Sequence, residues 1–302
     1  MDHLTAMHIF TRVAERRSFS LAAEDLGIPR STVTDAVKHL EKRLGVQLLQ
    51  RTTRVVRSTL DGEAYYQRCV TILSDVEDAE SAFSGAKPQG VLRIDMHGTI
   101  ARHFVLPHLP EFLSEYPDIE LFLSEGDRLS DLVREGIDCV VRAGVPQDSD
   151  MIARKLAVLD EVTLVSPAYL DTYGVPENPA KLRDGHKMVG FHSTSTGSLL
   201  PLEFMVNEKR YEIDLPVAIS VTAAESYLQA ALLNLGIIQI PRYHAEALIQ
   251  SGQLVEILKD YPLEPTPVSL MYPRTRQLSP RVRVFLDWAT QVFARETPKG
   301  AI

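Results

Sequence analysis

Several features that mark particular protein classes are scarce or missing in this sequence. Its two cysteines, Cys69 and Cys139, stand in apolar surroundings, which favours reduced structural thiols over a redox switch or a disulfide framework. No run of about 18 apolar residues is present to span a membrane, and Met1 to His3 do not begin a signal peptide. These features predict a cytoplasmic protein with no membrane partner.

The signatures of common catalytic and metal sites are also missing. The nine histidines show no His-Glu-x-x-His spacing, no Cys-x-x-Cys pair occurs, and no Gly-Lys-Ser/Thr phosphate loop is present. The segment Gly190–Thr194 is not a Gly-x-Ser-x-Gly nucleophile elbow, because Thr194 replaces the final glycine and the serine is displaced. The sequence therefore predicts no enzyme, no metal site and no cofactor.

Acidic and basic residues are distributed unevenly along the chain. The 302 residues carry a formal net charge of −8, which by itself argues against a nucleic-acid partner. Residues 1–60 hold 10 of the 32 Lys and Arg but only 6 of the 40 Asp and Glu, a net charge of +4. The remaining 22 basic and 34 acidic residues give the rest of the chain a net charge of −12. The length predicts about two domains, and the asymmetry confines nucleic-acid contact to the first.

The stretch from Ser18 to Thr59 organises the rest of the chain. Residues 19–26 predict a short helix that Ser18 or Ser20 caps, and residues 27–29 (Gly-Ile-Pro) end it. A second predicted helix, residues 31–44, carries apolar side chains on one face: Val33, Val37, Leu40 and Leu44. Its opposite face is polar and consists of Ser31, Asp35, Lys38, His39 and Lys42. This pattern is typical of a helix-turn-helix whose second helix enters the DNA major groove.

A basic segment follows the second helix. Arg51, Arg54 and Arg57 are interleaved with hydroxyl and β-branched residues, as expected of a β-hairpin wing that lies along DNA phosphates. A solvated charge cluster is the alternative, but the preceding helix-turn-helix favours nucleic-acid contact. The predicted DNA-binding residues are Ser31, Thr32, Thr34, Asp35, Lys38, His39, Lys42, Arg51, Thr53, Arg54 and Arg57.

These segments resemble the amino-terminal domain of LysR-type transcriptional regulators. The resemblance rests on residues 18–20 (Ser-Phe-Ser) with Ala22 and Ala23, and on residues 40–54 (LEKRLGVQLLQRTTR). It is dense over residues 1–85 and mostly architectural over the rest. Many members carry Ser-Arg or Ser-Arg-Gln where this chain has residues 34–36 (Thr-Asp-Ala). Because Asp35 puts an acidic group on the groove face, base preference cannot be transferred from other members.

A long helix is predicted after the basic segment, from a cap at Thr59 to about Phe83. Six of its residues recur at alternating steps of four and three, which is a heptad seam: Tyr65, Cys69, Ile72, Val76, Ala79 and Phe83. The alternative is a helix packed on its own domain. We favour a dimer seam, because one helix-turn-helix reads few bases and a two-fold partner supplies the second half-site. The resemblance also implies a dimerising linker helix here, and residues 84–90 predict a domain boundary.

Strands and helices alternate from Val91 onward, which predicts a parallel sheet covered on both faces. Strands are predicted at 91–96, 120–125, 139–142, 161–166, 187–191, 219–221, 237–240 and 268–272. Helices are predicted at 100–116, 130–135, 223–235 and 281–294, the third after a capping box formed by Thr222 and Glu225.

The family resemblance implies the architecture of the whole chain. The fold class is α+β multidomain: a winged helix-turn-helix (1–59), a linker helix and hinge (60–90), and a two-lobed α/β effector domain like a periplasmic binding protein (91–302). The resemblance places lobe I at about 91–162 and 268–295, and lobe II at about 163–267.

Ligands of open α/β sheets bind beyond the carboxyl ends of the strands. The residues in such turns, which match where family members hold effectors, are His97, Gly98, Thr99, Ser124, Arg142, His192, Ser193, Thr222 and Ala223. Each polar residue has a structural alternative: Thr222 as a cap, Thr99 in a turn, and Arg142 in an ion pair. A helix end with Arg142 would suit a small carboxylate.

Two hypotheses follow for the function. The first is a DNA-binding regulator that responds to a small-molecule effector and binds an operator dyad in double-stranded DNA as a homodimer or homotetramer. The second is a solute-binding or small-molecule enzyme domain with an amino-terminal oligomerisation module. The polar face of the second helix and the three arginines favour the first.

Overall fold

Three short helices form the amino-terminal unit of the protein: α1 (His3–Arg16), α2 (Phe19–Leu26) and α3 (Arg30–Leu44). We analysed a computed structural model that describes residues 1–51, 56–84, 87–126, 136–146, 151–193, 197–274 and 278–297. Of the two candidate caps for α2, Ser18 is the one used, because its hydroxyl accepts a hydrogen bond from the Leu21 amide. Gly27 ends α2 in the left-handed region, at φ 62°, so the predicted helix-turn-helix is present.

The apolar faces of these helices meet in one core. Val33, Val37 and Leu40 of α3 are fully buried, and they pack with Phe10 of α1 and with Leu48 beyond α3. Burial of a side chain of this size stabilises the fold by about 1.5–3 kcal/mol relative to its exposed state. The core therefore fixes α3 with its polar face turned away from the unit.

A β-hairpin and a long helix complete this part of the chain. Strands β1 (Leu49–Arg51) and β2 (Val56–Ser58) pair antiparallel, and the predicted contacts Thr53 and Arg54 lie outside the described residues. Helix α4 (Leu60–Ser84) follows, and the Thr59 hydroxyl accepts a hydrogen bond from the Gly62 amide at 2.9 Å. The predicted cap of the long helix is confirmed.

The first part of the predicted heptad seam faces the protein's own core. Cys69 is fully buried among the core residues of the amino-terminal unit, and Tyr65 packs against Phe10 with ring centroids 5.6 Å apart. The assignment of Cys69 to a dimer seam is therefore corrected, because Cys69 offers no surface to a partner, whereas Tyr65 is half-buried. Ile72, in contrast, is 37% exposed.

The first of the two lobes that follow α4 is built on a five-stranded sheet. Its strands are β3 (Gly90–Met96), β4 (Ile119–Glu125), β5 (Cys139–Ala143), β6 (Met151–Leu159) and β15 (Thr266–Pro273), in the order β4-β3-β5-β15-β6. Strand β3 is parallel to β4 and β5, whereas β15 is antiparallel to β5 and β6. The sheet is thus mixed, and the prediction of an all-parallel sheet is wrong because the carboxyl-terminal strand returns in the opposite direction.

One predicted helix of this lobe, residues 100–116, is interrupted. The chain forms α5 (Gly98–Ile100), a π turn (Ala101–Val105), a 3-10 turn (Leu106–His108) and α6 (Leu109–Glu115). Pro107 and Pro110 lie in this segment, and the absence of an amide hydrogen on proline explains the break. The predicted helix at 130–135 lies outside the described residues.

The second lobe contains two three-stranded sheets and a hairpin. Strands β7 (Glu161–Val165), β13 (Ile238–Pro241) and β14 (Val255–Glu256) form one sheet, and β8 (Met188–His192), β9 (Leu199–Leu200) and β12 (Val217–Val221) form the other. Strands β10 (Leu202–Val206) and β11 (Lys209–Ile213) form the hairpin. Strand β7, which begins two residues before the predicted lobe boundary, pairs with β13 and so lies in this lobe.

Helices cover these sheets. They are α7 (Pro167–Tyr173), a 3-10 turn (Pro179–Arg183), α8 (Ala224–Leu232), α9 (Arg242–Gln250) and α10 (Pro280–Glu296), which returns to the core of the first lobe. The predicted capping box at α8 is wrong: Ala223 is the cap residue, it makes no side-chain cap bond, and Glu225 pairs elsewhere. None of the helices in the described residues is long and apolar enough to cross a membrane.

Candidate functional site

Helix α3 presents a continuous polar face to solvent. Ser31, Asp35, Lys38, His39 and Lys42 are all exposed, and Thr32 and Thr34 are half-buried at its edges. The face follows from the helical period, because the buried residues recur every three or four positions on the opposite side. Side chains of this kind can contact base edges and phosphates in a major groove.

Asp35 has no intramolecular bond that explains its place on this face. Within the described part of the chain it makes no hydrogen bond or ion pair, although Lys38 and His39 lie one turn further along α3. The alternative in which Asp35 orients these two side chains has no support in this structure. Its carboxylate is available to an external donor.

Glu41 connects α3 to the hairpin. Its carboxylate accepts hydrogen bonds from the amides of Leu48 and Leu49 at 2.9 and 3.1 Å. Leu49 begins β1, so α3 and the hairpin are held together. Arg57 on β2 is exposed, whereas the side chain of Arg51 lies outside the description.

The predicted effector residues lie at two strand edges. In lobe I, Met96 pairs with Glu125 and with Val141, which brings His97, Ser124 and Arg142 to the same edge. In lobe II, Val221 pairs with Phe191, which brings His192 and Ser193 beside Thr222 and Ala223. We call the space between these two edges the interlobe cleft.

Side chains of the two lobes make direct contact at this cleft. Arg102 of lobe I donates hydrogen bonds to Glu125 of its own lobe at 2.8 Å and to Glu225 of lobe II at 3.0 Å. Thr99, which is buried, shares a 2.8 Å hydrogen bond with the hydroxyl of Tyr243 of lobe II. An ion pair and a hydrogen bond thus bridge the lobes.

Three histidines surround this bridge. His97 and His103 belong to lobe I: His97 Nδ1 lies 3.0 Å from the Thr99 hydroxyl, and His103 Nδ1 donates to the Thr99 carbonyl at 2.8 Å. His244 of lobe II is buried, and its Nε2 lies 3.5 Å from Glu225. Burial lowers the pKa of His244, as do His103 and His97, whereas Glu225 acts in the opposite direction. Burial thus favours the neutral form of His244.

Arg142 takes part in an ion pair within lobe I. Its guanidinium contacts the carboxylate of Asp95 and donates to the Asp95 carbonyl at 3.1 Å, while Ser124 donates to the same carboxylate at 2.5 Å. Both members of the pair are buried. The ion pair given as the structural alternative for Arg142 is present in this structure.

The remaining predicted effector residues make local contacts. His192 Nδ1 contacts the Gly197 carbonyl at 3.3 Å, and the Ser193 amide donates to the Ser198 carbonyl at 2.9 Å. Thr222 and Ala223 are exposed where α8 begins. The described residues contain no group of His, Cys, Asp and Glu arranged to hold a metal ion.

Sequence reasoning missed the residues that bridge the lobes: Arg102, Glu225, Tyr243 and His244. The last two lie on α9, which was not predicted. Ala245, Leu248 and Ile249 have helical spacing after a predicted strand, and this short signal could have located α9. Nothing in the sequence pairs Arg102 with Glu225, 123 residues away.

Two family models match the chain. Residues 4–63 match "Bacterial regulatory helix-turn-helix protein, lysR family", and residues 85–294 match "LysR substrate binding domain". The chain belongs to the LysR family. Members of this family are transcriptional regulators that bind DNA and small-molecule effectors and form oligomers. This LysR-family chain is accordingly a DNA-binding transcriptional regulator with an effector-binding domain.

Relatives of the chain carry the same description over nearly their whole length. An uncharacterized HTH-type transcriptional regulator of Escherichia coli (strain K12), YhjC, is 40% identical over 298 residues, which are 97% of this chain and 98% of the relative. An HTH-type transcriptional repressor of Pseudomonas aeruginosa (strain UCBPP-PA14) is 36% identical over 301 residues, 99% of this chain and 94% of the relative.

Known structures share the fold. CrgA, a LysR-type transcriptional regulator from Neisseria meningitidis, is 31% identical, covers 96% of this chain and 98% of its own, and has a TM-score of 0.60. The Vibrio cholerae virulence activator AphB is 23% identical, covers 96% of this chain and 99% of its own, and has a TM-score of 0.59. At that identity AphB supports the fold alone.

Proposed function

We propose that this LysR-family regulator is cytoplasmic and binds an operator dyad as a homodimer or homotetramer, under the control of an effector held in the interlobe cleft. The observation that carries the proposal is the face of α3, where five polar side chains are exposed opposite a buried apolar stripe. The proposed units are residues 1–59, 60–90 and 91–302, with lobe I at about 91–162 and 268–295 and lobe II at about 163–267. An oligomerisation module would not require such a face.

The double variant Lys38→Ala/Lys42→Ala is expected to bind all DNA sequences more weakly. Each lost phosphate contact removes about 0.9 from the slope of log K against log salt, so the slope should fall by roughly 2. Mobility-shift titrations at several salt concentrations measure this slope. The matched control is Lys181→Ala/Lys259→Ala in lobe II, where the side chains are 56% and 68% exposed. An unchanged slope in the α3 variant would place that face away from DNA.

Asp35 is expected to read a base directly. A carboxylate facing a phosphate would be repelled, whereas in the major groove it accepts a hydrogen bond from the cytosine amino group, worth about 1–3 kcal/mol of discrimination. Asp35→Ala should therefore relax preference at one position of each half-site when selected binding sites are sequenced, with little change in total affinity. An even loss of affinity with unchanged preferred bases would make Asp35 a supporting residue.

The effector is proposed to enter where Arg102 meets Glu225 and Thr99 meets Tyr243. A ligand between the two edges replaces these interlobe bonds with its own bonds to each lobe. It shifts the equilibrium between the lobe arrangement with these bonds and an arrangement without them, by an amount set by its difference in affinity for the two arrangements. Ser193, Thr222 and Ala223 stay proposed as ligand contacts on the lobe II edge. The other proposed effector contacts are His97, Gly98, Thr99, Ser124, Arg142 and His192.

The stability of the effector domain is expected to depend on the charge of His244. The pKa of His244 is lowered below 6.5 in the folded protein, so as pH falls the unfolded chain binds the proton before the folded protein does. The free energy of unfolding therefore decreases as pH falls from the pKa of the unfolded chain toward that of the folded protein. A charged His244 also attracts Glu225 of its own lobe and repels Arg102, which weakens the interlobe bridge. The pKa of His186 is lowered as well, so its contribution to stability also decreases as pH falls. Burial raises the pKa of Glu161 to about 7, so the contribution of Glu161 to stability decreases as pH rises instead.

The variant His244→Gln isolates this contribution. We expect the melting temperature of wild type minus that of the variant to rise with pH between about 5 and 8, the range in which histidine titrates. Thermal unfolding in a buffer series measures this difference, and the contributions of His186 and Glu161 cancel in it. A difference that does not change with pH would contradict a buried neutral His244.

A further inference from the structure

A cavity of about 210 Å³ lies where the amino-terminal unit meets lobe I. Helix α1 supplies His8, Arg12 and Glu15, and α4 supplies Val70, Thr71, Leu73 and Ser74. Lobe I supplies Arg93 on β3, Asp138 and Arg281. We call this space the junction cavity. It is separate from the interlobe cleft and from the polar face of α3, since none of its lining residues belongs to either.

Hydrogen-bond donors without acceptors line the junction cavity. Within the described part of the chain, the Thr71 hydroxyl and the Arg12 Nε are buried and have no hydrogen-bond partner. Arg93 makes no ion pair with a described carboxylate, and its guanidinium lies 5.2 Å from the ring centroid of Phe122. A buried donor without an acceptor costs about 1–3 kcal/mol, so such groups call for a bound acceptor.

The carboxylates of the cavity already have donors. Glu15 accepts from the Tyr66 hydroxyl at 3.2 Å and pairs with Arg12 Nη1 at the same distance. Asp138 accepts from the backbone amide of Arg93 at 2.8 Å. Arg12 Nε is 3.9 Å from Asp25, which is too long for a hydrogen bond. Thr71 and Arg12 thus present buried donors to the cavity, and Arg93 adds a guanidinium that makes no ion pair with a described carboxylate. A ligand that satisfies these groups must accept hydrogen bonds.

We propose that the junction cavity binds a small oxyanion, a carboxylate or a phosphate. Its oxygens would accept from Thr71 and Arg12 on the amino-terminal side and from Arg93 on the effector-domain side. An anion with bonds to both sides holds the helix-turn-helix unit against lobe I of the same chain. It therefore favours one position of α3 relative to the effector domain. This site is additional to the effector site proposed for the interlobe cleft.

Calorimetric titration of the full-length protein with inorganic phosphate and, separately, with malonate tests the proposal at constant ionic strength. We expect saturable binding of at least one of the two, and the preferred anion separates a phosphate from a carboxylate ligand. Arg93→Met should weaken binding roughly tenfold or more, the effect of losing one charge-assisted hydrogen bond. Arg183→Met at an exposed position of lobe II is the matched control and should leave the affinity unchanged. Arg102→Met in the cleft and Arg57→Met on the hairpin test whether the anion binds at either of those two places instead.

The variant Thr71→Val distinguishes a loss of anion binding from a loss of folding. Because the hydroxyl is buried without a partner, its removal should leave the anion-free melting temperature unchanged or raised, while it lowers anion affinity. Hydrogen exchange of residues 8–15 and 70–74 should slow when the anion binds. Absence of saturable binding, or equal affinity in wild type and Arg93→Met, would overturn the proposal. Weakening by Arg102→Met or Arg57→Met instead would also overturn it and assign the anion to the cleft or the DNA-binding surface.

Discussion

Gly62→Ala is expected to unfold the DNA-binding unit and abolish operator binding. A Cβ atom at position 62 would lie 1.9 Å from the carbonyl oxygen of Leu48 and 2.8 Å from its carbonyl carbon. The Leu48 backbone cannot move aside freely, because its amide donates to Glu41 at 2.9 Å and its carbonyl accepts from the Thr59 amide at 2.9 Å. We expect a loss of about 3 kcal/mol or more, at the upper end of overpacking effects.

The sign of this effect makes it diagnostic. In a helix without contacts, glycine to alanine stabilises by about 1 kcal/mol, because alanine has the higher helix propensity. Thermal unfolding and mobility-shift titration of Gly62→Ala measure the change, and Glu63→Ala at the exposed neighbouring position is the control. A Gly62→Ala protein that melts at or above the wild-type temperature and binds DNA would show that α4 does not pack on Leu48 in this way.

Ile72→Asp is expected to convert the protein to monomers and to abolish operator binding. Ile72 is 37% exposed in the single chain, so an aspartate there is solvated in the monomer. In the proposed seam of Ile72, Val76, Ala79 and Phe83, each of two aspartates would be buried at a cost of several kcal/mol. The dimer dissociation constant should therefore rise by at least about a thousandfold.

Sedimentation equilibrium measures the association state of this variant. Ile72→Leu keeps an apolar side chain of the same size and should remain oligomeric, which makes it the matched control. Calorimetry should show the effector domain of Ile72→Asp still folded. A variant that stays dimeric would place the association surface elsewhere on the chain.

Local chemistry explains why the helix-turn-helix was predictable. A serine cap, a glycine in the left-handed region, and an apolar stripe at helical spacing each depend on residues close together in the sequence, and all three are present. One predicted member of the stripe is wrong: Leu44, in the last position of α3, is 39% exposed. The Thr59 cap and the extent of α4 follow from the same kind of signal. The prediction of an α/β effector domain succeeded because alternating strands and helices are also local.

The wrong predictions concern residues whose contacts are with segments far away in the sequence. Cys69 fits a heptad pattern, yet α1 covers it, and periodicity alone cannot distinguish a partner helix from the chain's own helix. Its buried thiol has a pKa raised to about 12, in agreement with a structural role. Glu225 has the spacing of a capping box, but Arg102 and His244 pair with it instead.

Sequencing of the genomic fragments that the full-length protein binds tests the central claim most directly. The proposal is that two α3 helices of a dimer read two half-sites, so the enriched fragments should share an inverted repeat. Its half-site centres should be about one helical turn apart, roughly 34–36 Å, or a multiple of that spacing. Recovery of fragments without a shared sequence, or with a single unrepeated site, would contradict a dimeric sequence-specific regulator.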